Sequence, residues 1–222
     1  MIAVTFALAA GNGSGVRADE FIAPDAALTQ RVVSFDASAG APPVQAADFR
    51  AWSATRDRAP VDGKLVWQGP RGELPARGTH LFLMPEDDYS VWFAKLATDN
   101  ALASRDAAVP LDDRARPSLL SAIANRYGVF SFPSVPSGPY VLFAVLNVKI
   151  GPATPVERVE RGWDGSGHGA DVTVPSVDIP QGHIESFRYL YAYALRGEQR
   201  PWHLGVVRPN AQMHDGRPAA QR

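Results

Sequence analysis

The chain has 222 residues, a formal net charge of −1 and a sequence pI near 6.5. This length suits one large domain, or one domain with extended flanks, and is enough to bury a substantial core. The near-neutral charge gives no reason to expect nucleic acid or an anionic membrane surface as a partner. Because the chain has no cysteine, disulfides, thiolate metal sites and thiol nucleophiles are excluded.

The first ten residues, MIAVTFALAA, form an apolar run that is too short to span a bilayer. The run has the length of the hydrophobic region of a secretory signal and ends in small residues, although no basic residue precedes it. We therefore expect a signal or apolar segment over residues 1–18, and export to the periplasm or the cell envelope.

Residues 19–60 are expected to form an extended arm, because the stretch is rich in Ala, Ser, Pro and Gly. Its one candidate strand is Arg31–Phe35. Loops of this length are uncommon inside compact domains, so the arm is expected to be mobile or held by a partner.

From residue 61 the chain changes to short segments that are rich in β-branched and aromatic residues and are separated by Gly, Pro and Asp. The segments are GKLVWQG, THLFLMP, SVWFAKLA, YGVFSF, YVLFAVLNVKI, ADVTVPSVDI and ESFRYLYAYAL. This pattern predicts an all-β fold, an antiparallel β-sandwich over residues 61–197.

Two stretches fall outside that pattern. Residues 98–126 are interpreted as an insertion with a short helix that Ser118 caps and that runs through Leu119, Leu120 and Ile123. Residues 198–222 are interpreted as a C-terminal tail with one apolar patch at 204–207.

The stretch YGVFSFPSVPSGPYVLFAVL, residues 127–146, predicts strand, turn and strand. Proline fixes φ and glycine permits a positive φ, so PSGP suits a tight connection. Phe130 and Phe132 should share one face, as should Tyr140 and Leu142, because side chains two apart in a strand point the same way. We expect this hairpin to close one side of the core.

Residues 62–85 and 125–144 resemble the carboxypeptidase regulatory-like domains, which belong with the transthyretin-like (prealbumin-like) β-sandwiches. The matching positions are Gly63, Gly72, Leu74, Pro75, Gly78, Gly128, Phe130, Phe132, Val135, Pro136, Gly138, Tyr140 and Leu142. The resemblance covers the middle half of the chain and implies that sandwich type. It leaves function open, because the fold serves as spacer, docking module and, in a few branches, enzyme.

One such branch, the intradiol dioxygenases, binds iron through two tyrosines and two histidines. Tyr140 in SGPY and His203 in RPWHLG are similar to its ligands, but Gly205 stands where the second histidine is expected. A metal-dependent dioxygenase is therefore the least favoured hypothesis. We expect Tyr140 in the core, His203 on the surface, and no cofactor or metal.

Two loops contain oxygen-bearing side chains. WDGSGHG offers Asp164 and Ser166 but lacks the alternating carboxylates of a calcium loop, so it is interpreted as a glycine turn. The adjacent carboxylates of 86–88 are interpreted as a solvated turn, because acid–base pairs need differing environments.

The segment FRYLYAYAL sets Phe187, Tyr189, Tyr191 and Tyr193 on one face of a strand. That face is either the second wall of the core or an exposed platform for a sugar or a protein. The opposite face is partly apolar, which favours cover by another protein. Trp92, Trp163 and Trp202, placed in loops or at edges, add to the interface interpretation.

The leading hypothesis is a non-catalytic interaction or accessory subunit of the envelope. It would dock on a larger protein assembly, either membrane-bound or not, through the sandwich and the extended arms. The alternative is a carbohydrate-binding module. In either case the predicted interaction residues are Tyr189, Tyr191, Tyr193 and Trp202.

Overall fold

A computed structural model describes residues 21–69, 72–103, 109–151, 154–163, 169–178, 183–196, 201–210 and 214–218. These residues form three α-helices, two short 3-10 helices and eleven strands. The helices are α1 (Ala26–Ser34), α2 (Ala46–Ala54) and α3 (Asp88–Leu102), with 3-10 turns at Ala37–Ala39 and Arg116–Ser118. The strands are β1 (Arg58–Gly69), β2 (Gly72–Pro75), β3 (His80–Pro85), β4 (Leu120–Ile123), β5 (Val129–Pro136), β6 (Gly138–Ile150), β7 (Thr154–Trp163), β8 (Gly169–Asp178), β9 (His183–Leu195), β10 (Trp202–Val207) and β11 (His214–Pro218).

Two sheets contain all of these strands except β7 and β8. The larger sheet has the order β11-β9-β6-β3-β4 and is antiparallel throughout. In the smaller sheet β1 lies between β10 on one side and β2 and β5 on the other. The predicted β-sandwich of two sheets is thus confirmed as a mainly β architecture. It is not purely antiparallel, because β1 and β10 run parallel.

The first hydrophobic core lies between the sheets. Phe130 and Phe132 contribute from β5, and Tyr140 and Leu142 from β6, each at most 1% exposed. A second core lies on the other face of the larger sheet, where Val141 and Phe143 of β6 cluster with residues of the helices; α3 contacts β6, and α1 contacts β9. Strand β6 is therefore covered on both faces, which explains its continuous apolar sequence.

The PSGP connection is not a hairpin. Strand β5 pairs with β1 in the smaller sheet, whereas β6 pairs with β3 and β9 in the larger sheet. The chain thus crosses between sheets at Ser137, and Gly138 has φ +144°. Proline and glycine correctly indicated a turn, but turn chemistry does not determine which strand each arm pairs with.

Helix α3 occupies the segment SVWFAKLA, for which a strand was predicted. Its N-cap Asp87 accepts a hydrogen bond from the backbone N–H of Ser90 at 2.7 Å. Val91 and Ala94 are fully buried, and Trp92 and Phe93 are 8% exposed. A short run that is apolar on every side has no periodicity that separates helix from strand, which is why the prediction was wrong.

The predicted helix over 118–123 is also wrong. A 3-10 turn ends at Ser118, and β4 then pairs with β3 at the edge of the larger sheet. Leu120 and Ala122 pack against the first core, whereas Ser121 and Ile123 are exposed. That two-residue alternation is typical of an edge strand.

The N-terminal stretch is not an extended arm from residue 21 onward. The candidate strand Arg31–Phe35 lies in α1 and at its C-cap, and α1 begins where Asp25 accepts a hydrogen bond from Leu28 N–H at 3.0 Å. Val32 of α1 is fully buried in the second core. This stretch covers the sandwich with its own helices.

The C-terminal tail also joins the sheets. The apolar patch at 204–207 lies in β10, which pairs with β1, and β11 pairs with β9. Both predicted arms therefore supply cover for the sandwich within the same chain. No local signal marked this, because the partner strands lie far away in the sequence.

The apolar run at residues 1–10 lies outside the described residues, so export stays a prediction. Among the residues that the structure describes, no helix has the length and apolarity needed to cross a membrane.

Candidate functional site

Three polar side chains form a row across the outward face of the smaller sheet. Asp62 of β1 is the register partner of Ser131 on β5 and of His203 on β10. Each of the three lies between two buried neighbours of its own strand, so its side chain points away from the core. The sheet thus presents a hydroxyl, a carboxylate and an imidazole side by side.

Phe21 extends this row by one position. It forms a parallel bridge with His203, and the next residue, Ile22, donates its N–H to the carbonyl of His203 at 3.1 Å. Ile22 packs against the first core, whereas Phe21 is 62% exposed. We call Phe21, His203, Asp62 and Ser131 the outer row.

The ring of Phe21 lies against the backbone of Gly205. A Cβ atom at that position would come within 2.3 Å of Phe21 Cδ2, and Gly205 has φ +67°. Both the close approach and the backbone conformation therefore require glycine. This contact fixes the position of the exposed ring on the sheet.

Asp62 and His203 form the polar centre of the outer row. His203 Nδ1 and Asp62 Oδ1 are 2.6 Å apart, and the side chains are 32% and 35% exposed. The pair thus orients the imidazole while both groups stay accessible to solvent. Lys64, with its exposed register partners Val129 and Val206, borders the row on one side.

The order of residues in the row bears on its chemistry. Acyl transfer by a serine needs the imidazole between the hydroxyl and the carboxylate. Here the carboxylate of Asp62 lies between Ser131 and His203 in the register. The row is therefore not arranged as a nucleophile, base and acid, but it offers one apolar ring and three hydrogen-bonding groups on an open surface.

The predicted aromatic platform on β9 is not exposed. Tyr189 and Tyr193 are 0% and 1% exposed, and Tyr189 donates its hydroxyl to the carbonyl of Val66 at 2.8 Å. Tyr191 is half-buried and donates to the carbonyl of Arg208, and Trp202 is 7% exposed. Burial raises the pKa of all three phenols. The alternation correctly put them on one face, but that face is the second wall of the core.

The opposite face of β9 is covered by the chain's own helices. Asp25, the N-cap of α1, donates its N–H to the carbonyl of Ala192 at 2.9 Å, and Ala192 N–H donates to the hydroxyl of Thr29 at 3.1 Å. Leu190 lies fully buried beneath these helices. The expected cover by another protein is therefore wrong for this part of β9.

Trp92 is buried and forms no exposed surface with Trp202. Trp92 lies in α3, is 8% exposed and donates its indole N–H to the carbonyl of Ala37 at 3.2 Å. Trp163 lies in β7, and its side chain is outside the described part of the structure.

Tyr140 is a core residue, as expected. It is fully buried, accepts a hydrogen bond from Trp52 Nε1 and donates one to the carbonyl of Pro136. Burial raises the pKa of this phenol. These two hydrogen bonds hold the Tyr140 hydroxyl within the protein interior.

Within the described ranges no cluster of three His, Asp or Glu side chains could hold a metal ion. His80 is exposed on β3, and His183 Nε2 contacts Glu185 Oε1 at 2.9 Å. Asp164, Ser166 and His168 lie outside the described residues.

The acidic turn at 86–88 is only partly solvated. Glu86 contacts Arg31, and its side chain is 3% exposed, whereas that of Asp88 is 68% exposed. Burial raises the pKa of Glu86, and Arg31 opposes that effect. A half-open pocket of about 310 Å³ lies here, lined by Arg31, Pro42, Pro43, Gln45, Glu86, Asp87, Asp88 and Tyr89. Because Arg31 bridges Glu86 and Asp88, the cluster connects α1 to α3.

The outer row was not predicted from the sequence. The pattern of one polar residue between two apolar ones was visible in VDG, FSF and WHL. It marks outward positions, but it does not show that strands 70 to 140 residues apart bring them into one row. Phe21 was missed because its stretch was interpreted as an extended arm.

Comparisons with known proteins give no family for this chain. No family model matches it, and no curated protein matches it. A solved structure from Pseudomonas aeruginosa, described as a "putative carbohydrate binding protein", superposes with a TM-score of 0.44 at 18% sequence identity. The match covers 76% of this chain and 99% of that chain. Values this low establish neither a common family nor a common ligand.

Proposed function

We propose that this chain is a non-catalytic, exported binding module of the transthyretin-like sandwich type, which holds a saccharide on the outer row. The observation that carries the proposal is the exposed Phe21 ring, seated on Gly205 beside the His203–Asp62 pair. The resemblance of residues 62–85 and 125–144 to carboxypeptidase regulatory-like domains supports the sandwich type.

A sugar suits this surface for physical reasons. One face of a pyranose ring is lined by C–H groups and can stack on an aromatic ring, while its hydroxyls both donate and accept hydrogen bonds. Phe21 supplies the ring, and Asp62, His203 and Ser131 supply acceptors and donors along a line. The row is open rather than enclosed, which favours a saccharide chain lying across the strands over a small molecule in a cavity.

The test begins with a glycan array and continues with calorimetric titration of the best soluble oligosaccharide. Phe21→Ala and Asp62→Asn should each weaken binding roughly tenfold, because a stacked ring contributes about 0.5–1.5 kcal/mol and a hydrogen bond to a charged group about 1.5–3 kcal/mol. Ile123→Ala is the control, since Ile123 is 57% exposed on the other sheet. It should bind as the unmodified chain does.

A second variant tests the position of the Phe21 ring separately from its presence. Gly205→Ala keeps Phe21 but forces its ring away, because the new Cβ would overlap Phe21 Cδ2. We expect the same direction of loss as for Phe21→Ala. Absence of any bound glycan, or unchanged affinity in Phe21→Ala, would contradict the proposal.

A second candidate function is that of an accessory subunit that docks on a larger envelope assembly, either membrane-bound or not. The predicted arms no longer support it, because both fold onto the sandwich. A different observation favours it: β7 and β8 form a separate two-stranded ribbon that, within the described topology, pairs with no other strand. The edges of such a ribbon suit pairing with a strand of a neighbouring protein.

Affinity purification from the native envelope tests this second function. A tagged chain should retain its partners when Phe21 or Asp62 is substituted. It should lose them when a short turn replaces residues 152–182. Equal partner recovery with and without the ribbon would reject docking through this element.

A further inference from the structure

The β7–β8 ribbon follows the β6–β9 pair along the chain. The last described pair of β6 and β9 is Ile150 with His183, and the first pair of the ribbon is Thr154 with Asp178. Four positions separate Ile150 from Thr154, and five separate Asp178 from His183. The register of the ribbon therefore differs from that of the β6–β9 pair by one residue. With ten residues in each strand, the ribbon is about 33 Å long at the usual rise per residue.

This ribbon has two edges with no partner strand in the described topology. Two strands alone are only marginally stable in water, and a long free edge is a template for another strand. A further strand along one edge would add a third strand to the sheet and would also pair the free edge. The sequence of each edge strand shows which partner it suits.

Strand β7 is complementary in charge to itself. Its centre reads Glu157, Arg158, Val159, Glu160, Arg161. If two copies of β7 pair in antiparallel fashion about Val159, the backbone register sets Glu157 opposite Arg161 and Arg158 opposite Glu160. Symmetry repeats both pairs, so four opposite-charge positions result and no like-charge position does.

Strand β8 does not have this property. Its sequence, GADVTVPSVD, contains two acidic residues and no basic one. Pro175 also lies within β8, and a proline has no N–H to donate to a further strand. Strand β7 has a proline as well, Pro155, but it lies near the start of the strand and outside the charged centre at 157–161. The edge suited to pairing is therefore that of β7.

We propose that β7 pairs with β7 of a second copy of this chain, about a two-fold axis at Val159. The dimer then contains a continuous four-stranded sheet in the order β8-β7-β7-β8, with a self-complementary interface of the kind that two-fold symmetry requires. This inference is independent of saccharide binding, and it does not require the larger assembly of the second candidate function.

The test measures the mass of the purified full-length chain in solution by sedimentation over a range of concentrations. The unmodified chain should show a monomer–dimer equilibrium. Glu157→Arg with Glu160→Arg makes the centre of β7 wholly basic, and Arg158→Glu with Arg161→Glu makes it wholly acidic. Each double variant alone should dimerise at least about tenfold more weakly, because all four opposing pairs become like-charged.

Mixing the two double variants is the decisive measurement. Basic against acidic β7 restores four opposite-charge pairs, so the mixture should form a heterodimer that neither variant forms alone. Asp48→Arg with Asp113→Arg is the control for net charge, since both positions are exposed outside the ribbon. It should dimerise as the unmodified chain does, and circular dichroism should show that every variant is folded.

Three outcomes would overturn the inference: an unmodified chain that stays monomeric at every concentration, a basic variant that dimerises normally, or folded variants whose mixture stays monomeric. Because Arg161→Glu also sets two carboxylates opposite each other at the Arg161–Asp171 register position, the acidic variant is judged by its behaviour in the mixture. A variant that still dimerises but no longer recovers envelope partners would show that dimerisation and docking on a larger assembly are separate properties.

Discussion

Gly128→Ala is expected to lower the free energy of unfolding by about 3 kcal/mol or more, because a strained backbone and a steric overlap act together. Gly128 has φ +79°, and a Cβ atom there would lie 2.3 Å from the carbonyl oxygen of Leu65. That oxygen belongs to the backbone of β1. Relief of the overlap must therefore displace β1 or the turn before β5.

The same position also carries backbone hydrogen bonds. Leu65 N–H donates to the carbonyl of Gly128 at 2.8 Å, and Gly128 N–H donates to the carbonyl of Asn125 at 2.9 Å. A shift large enough to admit a methyl group would weaken both. The loss should appear as a lower urea midpoint with an unchanged m-value.

Gly78→Ala is the matched control. Gly78 has φ +72°, close to that of Gly128, but a Cβ atom there would meet nothing within 4 Å. Its cost should be the conformational one alone, about 1 kcal/mol. Equal losses at the two positions would show that the overlap with Leu65 does not contribute.

Asp99→Ala is expected to cost about 3 kcal/mol, because it removes the carboxylate that faces a buried guanidinium. The Arg188 side chain is 2% exposed and contacts Asp99 through Nη2. Among the described residues its Nε and Nη1 have no hydrogen-bond partner. Burial lowers the pKa of Arg188, and the charge of Asp99 opposes that effect.

The expected loss lies at the low end for a broken buried pair. The Asp99 side chain is 38% exposed, so water can reach part of the site after truncation. Asp99 also accepts a hydrogen bond from Lys95 Nζ at 2.8 Å, but an i,i+4 pair of this kind contributes only about 0.3–0.5 kcal/mol.

Two controls accompany the measurement. Asp113→Ala removes a carboxylate that is 90% exposed and paired with Arg116, so stability should be nearly unchanged. Arg188→Met removes the buried charge itself and should cost less than Asp99→Ala. If Asp99→Ala is no more destabilising than Asp113→Ala, then Asp99 does not compensate the charge of Arg188.

Alternation along a strand predicts which side chains share a face, but not whether that face is buried. The alternation in YGVFSF correctly predicted that Phe130 and Phe132 share a face, and both are buried. The same reasoning placed Tyr189 and Tyr193 together but left open whether that face was core or surface. Burial of a face depends on what packs against it, and that information lies in other segments.

The wrong predictions have a common cause. SVWFAKLA was interpreted as a strand, and the two ends of the chain as an extended arm and a tail, because each was considered without its tertiary partners. Helix α3 is stabilised by the outer face of the larger sheet, and β10 by its parallel pairing with β1. Contacts between distant segments override weak local preferences in such cases.

The sequence by itself determined the local chemistry of this protein: which segments form most of its strands, which side chains alternate, and where turns need glycine or proline. Those properties follow from backbone geometry over a few residues. Only the tertiary structure decided which faces remain exposed, that both ends fold onto the sandwich, and that Phe21, His203, Asp62 and Ser131 form one row. Strand register and burial minimise the free energy of the whole chain, so no local segment specifies them.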